Sequence, residues 1–143
     1  MKTLELKGNL LSFYVALALK LDSNPDFWVP WDYWEGDISV NRHQFGPFDT
    51  PDAHTQNNAF GQLYPTAKTL KLSATPEGEM YRMQLPSGAA FLAQDLLYGY
   101  ALAIVHACFG ETVPDHYDCP HFKKRIDLTL FNLIYGEESV VNQ

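Results

Sequence analysis

Residues 10–21, LLSFYVALALKL, constrain the fold more than any other stretch of the chain. Leu11, Tyr14, Val15, Ala18 and Leu21 recur at helical spacing, and Leu10, Phe13 and Leu17 supply a second apolar stripe beside the first. A helix apolar on both stripes has little face to give to water, so the rest of the chain has to wrap it. Its polar interruptions, Ser12 and Lys20, and its length argue against a membrane span, which takes about twenty apolar residues. No basic leader or small-residue cleavage site accompanies it, which argues against a signal peptide, and a cytoplasmic protein is expected. Asn9 is the expected N-cap.

A chain of 143 residues has the length of one domain with one core, so residues 1–143 are expected to fold as a single unit. The segment KTLKLSATPEGEMYRMQL alternates on both sides of TPEG, which supplies turn chemistry, and predicts an antiparallel hairpin. DISVNRHQF predicts a short strand, and SNPDFWVPWDYWEGD a loop with short extended pieces. In SGAAFLAQDLLYGYALAIVHACFG, Ala93, Leu96, Leu97, Tyr100, Ala101, Ile104 and Cys108 fall on one stripe of a helix, with Ser87 as the expected cap and Gly110 as its stop. The tail from His116 fits either period: Ile126, Leu128 and Leu130 alternate as in a strand, whereas Phe122, Ile126, Leu130, Leu133 and Ile134 fit the preferred helix. These pieces predict an α+β fold, two or three helices packed on a small antiparallel sheet with long irregular loops.

The net charge of −7 is concentrated: Asp22, Asp26, Asp32, Glu35, Asp37, Asp49 and Asp52 face Arg42 alone between residues 22 and 58. Nucleic acid and anionic membranes are disfavoured as partners of such a surface. Two cysteines, Cys108 and Cys119, suit reduced thiols better than a disulfide framework.

Three segments, in order, resemble the NinX-like family of phage and prophage proteins, a domain of unknown function. In LELKGNLLSFYVALALKL, Leu6, Gly8, Leu11, Val15, Ala16 and Ala18 fill that family's helix pattern. FGPFDTPDAHTQNNAFGQLY is similar to its aromatic, proline and polar segment, and LLYGYALAIVHACFGETVPD to its final helix. The resemblance spans roughly residues 4–115 and makes residues 116–143 a C-terminal extension expected to pack on that core. Trp enrichment in 22–36 and Phe48 after Pro47 depart from the pattern. The resemblance implies a phage or prophage accessory protein, and it carries no reaction and no catalytic residues with it.

Candidate ligand-binding residues cluster in the same acidic region. Trp28, Trp31 and Trp34 lie three apart and Phe48 follows, offering faces for a ring or a cation; burial as a lid is the plainer use of such residues. Arg42, His43, Asp49, Asp52, His54 and Asn57 are the densest run of donors and acceptors, able to converge on a small ligand or to satisfy turns after Pro47 and Pro51. His106, Cys108, His116, Cys119 and His121 are zinc-type ligands without zinc-site spacing, so no metal or other cofactor is expected and Cys108 is assigned to the core. Asp95 is expected on a solvated face or as a cap. No nucleophile elbow, phosphate loop or paired-histidine helix occurs.

The expected function is therefore non-enzymatic binding of a host protein or small molecule through an acidic, aromatic loop face. An enzyme acting on a nucleotide-like molecule through Asp49, Asp52 and His54 stays open, as does an oligomerisation module with an apolar patch on the second helix or tail; a homodimer is compatible with either.

Overall fold

The computed structural model of the chain describes residues 1–20, 33–35, 38–40, 61, 63–119 and 123–128. A 3-10 turn at Thr3–Glu5 leads into α1, Gly8–Ala18; residues 63–69 form α2; and α3 is Leu96–Phe109. Strands β1, Tyr33–Glu35, and β2, Ile38–Val40, pair antiparallel. Strands β3, Ser73–Glu77, β4, Met80–Gln84, and β5, Ala90–Ala93, make an antiparallel sheet in sequence order, and β6, His116–Cys119, pairs with β7, Lys124–Asp127. The architecture is the α+β arrangement that the periodicities predict.

Helix α1 is wrapped as its two stripes require. Seven consecutive residues from Leu10 to Ala16, Ser12 included, are at most 3% exposed. Leu63 and Ala67 of α2 and Leu97, Ala101, Leu102, Ile104 and Val105 of α3 complete most of that core, with Val113 and Leu128. The Tyr98 hydroxyl donates to the Leu6 carbonyl at 2.7 Å, while the Tyr14 ring meets Phe109 edge-on with centroids 5.7 Å apart. These contacts, one near each end of α3, make α1 and α3 run in the same direction.

The first three residues form a strap along the far end of α3. Thr3 N–H donates to Glu111 O at 3.0 Å, the Thr3 hydroxyl to Gly110 O at 2.6 Å, Val113 N–H to Met1 O at 2.8 Å, and the Met1 ammonium to Val113 O at 3.2 Å. Tyr14 OH closes the strap by donating to Pro114 O.

In the sheet, the hairpin between β3 and β4 turns on Gly78 and Glu79, with Gly78 at φ 65°, the turn class whose first central residue is glycine. Thr75, Pro76 and Glu77 of the expected TPEG turn are thus strand residues. Because Glu77 and Met80 close a two-residue turn as a hydrogen-bonded pair, Pro76 opposite Tyr81 falls at a non-bonded position, where its missing N–H faces the open edge.

Other expectations need correction. Residues 90–93 are strand, not the start of the long helix: Ala-Phe-Leu-Ala satisfies either period, and pairing with β4 decides. Ser87 lies in the β4–β5 turn, and the cap of α3 is Asp95, whose carboxylate accepts from Leu97 N–H at 2.8 Å. Gly110, at φ 89°, does end that helix. Asn9 sits within α1, which begins at Gly8 after Lys7. Ile126 belongs to β7 rather than to a tail helix, and residues 129–143 lie outside the described residues. Cys108 is exposed, on the edge of the α3 stripe rather than inside the core.

Candidate functional site

Among the sequence-predicted ligand residues, Trp28, Trp31, Arg42, His43, Phe48, Asp49, Asp52, His54 and Asn57 lie outside the described residues, and Trp34 is placed by its backbone, in β1 opposite Ser39. What the structure does give is the two ends from which this stretch departs and to which it returns. Its upstream anchor is the last turn of α1, where Leu19 N–H donates to Val15 O at 2.9 Å and Lys20, at φ 61°, ends the helix with its N–H on Leu17 O at 3.0 Å. Downstream, Leu63 re-enters at 0% exposure. Both ends are therefore fastened to the core that surrounds α1.

The described residues also enclose two open grooves on either side of the β4–β5 turn. One, of about 440 Å³, is bounded by Leu70, Leu85, Pro86, His106, Gly110 and Glu111; the other, of about 330 Å³, adds Lys71, Ser73 and Gln84 to the shared Leu85 and Pro86. The turn between them is fixed by Leu85 N–H on Ala89 O at 2.9 Å and Gly88 N–H on Leu85 O at 3.0 Å, with Gly88 at φ 97°. Lys71 is set by the end of α2: its φ of 58°, with Lys71 N–H on Lys68 O and Leu72 N–H on Ala67 O, is a Schellman stop in which lysine takes the usual glycine place. An apolar floor with one imidazole and one carboxylate at the rim suits noncovalent contact with a small amphipathic group, at the lower end of ligand-pocket sizes.

In the core the Thr3 and Tyr14 hydroxyls donate to backbone carbonyls, whereas the buried Ser12 hydroxyl has no hydrogen-bond partner among the described residues. Burial, assisted by the Asp115 carboxylate, holds the Tyr14 phenol far above the usual tyrosine range, so it stays a donor to Pro114 O. Burial likewise raises Tyr100, with Tyr64 adding to it, and the two rings meet at 6.4 Å. Cys108 is exposed as a residue, but neighbouring atoms partly desolvate its thiol and push its pKa up, only partly offset by Lys20, which disfavours the thiolate a nucleophile or metal ligand needs. His116 is exposed and bonded to Asp115 at 3.2 Å. Among the described residues no three His, Cys, Asp or Glu side chains converge as a metal site.

No family model, curated protein or solved structure matches this chain. Residues that sequence reasoning passed over are Lys71, Leu85 and Pro86: the signal for the turn they flank was the Pro-Ser-Gly at 86–88, which punctuates two strands as clearly as the glycine at 78. No helix among the described residues is long and apolar enough to cross a membrane.

Proposed function

We propose that this chain is a phage- or prophage-derived binding protein without catalytic activity, which recognises a host protein or a small molecule through the acidic, aromatic face of residues 22–58. The observation that carries this reading is the concentration of seven acids and seven large aromatics, Phe27, Trp28, Trp31, Tyr33, Trp34, Phe45 and Phe48, in a stretch flanked by α1 and α2, both of which contribute residues to the core. A segment fastened at both ends loses less freedom on binding than a free one, so more of its contact energy appears as affinity. Aromatic faces contribute about 0.5–1.5 kcal/mol per ring pair and about 0.5–2 kcal/mol per cation held, and carboxylates around them favour a cationic partner surface. The resemblance to NinX-like proteins supports the phage origin.

The test is a Trp31→Ala, Trp34→Ala double variant, compared with the parent chain in affinity capture from host cell extract and in binding to each captured partner after purification. Loss of binding with unchanged circular dichroism is the expected result. Retention of every partner by a folded double variant would sink the idea.

A further inference from the structure

The three-stranded sheet ends on two edges of different character. On β4, the pairs Met80 with Glu77, Arg82 with Thr75 and Gln84 with Ser73 exchange hydrogen bonds with β3, so Tyr81 and Met83 must direct theirs to Ala93 and Phe91 of β5. By the same alternation the N–H and C=O groups of Ala90 and Leu92 point away from the sheet, and no hydrogen bond among the described residues reaches them. Leu92 is 44% exposed and Ala90 is exposed beside it. At the opposite edge, β3 turns Pro76 outward and ends on Glu77, paired with Arg82, two of the devices that keep edge strands from pairing. Strand β5 has neither: from Met83 to Gln94 the chain carries no charged residue, in a protein of net charge −7.

We propose that the open edge of β5 docks a second copy of this chain, the two β5 strands pairing antiparallel about a two-fold axis at Phe91. Only this register keeps both outward-bonding residues of each strand inside the strand. It sets Ala90 against the second copy's Leu92, and Leu92 against the second copy's Ala90, as two hydrogen-bonded pairs with Phe91 opposite Phe91 between them. Centring on Ala90 would call on Gly88, held at φ 97° in the turn, and centring on Leu92 would call on Gln94, which lies past the end of β5. Large then meets small on the outer face, and the neutral segment spares two acidic chains like-charge opposition across the pairing. The product is a continuous six-stranded antiparallel sheet with β3 at both ends, where Pro76 stops further growth. This pairing is independent of what residues 22–58 bind.

Sedimentation of the full chain tests it. The expected behaviour is a reversible monomer–dimer equilibrium, with the amides of Ala90 and Leu92 exchanging more slowly with solvent as concentration rises. Leu92→Pro removes an N–H that the β4–β5 ladder does not use, and Leu92→Lys places like charges across the axis; each is expected to raise the dimer Kd at least about tenfold while leaving the monomer's circular dichroism intact. A parent chain still monomeric at about 1 mM overturns the proposal. So does a dimer whose Kd neither variant changes, and so does an amide exchange rate at Leu92 that is independent of concentration, a readout that stands even if a variant fails to fold.

Discussion

Gly99 is the residue on which the contact between α3 and the sheet depends. A Cβ there would lie 2.8 Å from Met83 Sδ, 3.0 Å from Met83 Cγ and 3.1 Å from Ala93 Cβ. In an exposed helix, replacing glycine by alanine stabilises by about 1 kcal/mol, whereas forcing a methyl into a filled core costs about 1–3 kcal/mol. Met83 is fully buried and cannot swing into solvent, so the overpacking is expected to win. Gly99→Ala should lower stability by roughly 1 kcal/mol in urea unfolding, and Met83→Val in the same chain should recover part of the loss. An alanine variant more stable than the parent would show that the helix and sheet are not in the contact described. In the sequence this glycine reads only as a weak point in an alanine-rich stripe, because the atoms that require it come from strand residues Met83 and Ala93, earlier in the chain.

At the level of elements, the ends of the helices are where local chemistry can be changed without touching the core. Asp95 caps α3 through Leu97 N–H, so Asp95→Ala should cost about 1 kcal/mol and Asp95→Asn much less, measured by thermal unfolding. Lys71 closes α2 at φ 58°, a conformation that costs a side-chain-bearing residue about 1 kcal/mol relative to glycine. Lys71→Gly is therefore expected to raise stability by up to about 1 kcal/mol, and a fall would mean that the lysine side chain holds something in the adjoining groove. These elements also show what could be read in advance. The 14 residues of α3 carry one unbroken stripe and were legible, as was the β3–β4 hairpin through its alternation. The start of α3 was not, because Ala90, Phe91, Leu92 and Ala93 satisfy strand and helix alike and only the neighbouring strand decides between them. Nor was the larger groove beside the β4–β5 turn, which is assembled from Leu70 just past α2, Leu85 just past β4 and His106 in α3. The candidate ligand residues between Trp28 and Asn57 were singled out by composition, and that choice rests on composition still.

Across the whole molecule, the strap and the Tyr14 hydroxyl tie the first helix to the segment after α3, and no sequence period announces such backbone pairing. Its signature should be alkaline. Tyr14 has its pKa raised in the fold, so its contribution is complete below the unfolded value of about 10 and is lost as pH climbs from there toward the folded value, the unfolded chain releasing the proton first. Tyr100 acts in the same sense. Tyr14→Phe should cost about 1–2 kcal/mol at neutral pH, through the orphaned Pro114 carbonyl, and should flatten most of the fall in stability above pH 10; an unchanged alkaline slope would remove Tyr14 from this role. The strap joins residues 112, 107 and 100 positions apart, which sets an order of events during synthesis. At about 5–20 residues per second, the greasy first helix leaves the ribosome roughly 5–20 s before its partners exist. For that interval it is a natural client for a chaperone, and a translational pause downstream would lengthen the wait.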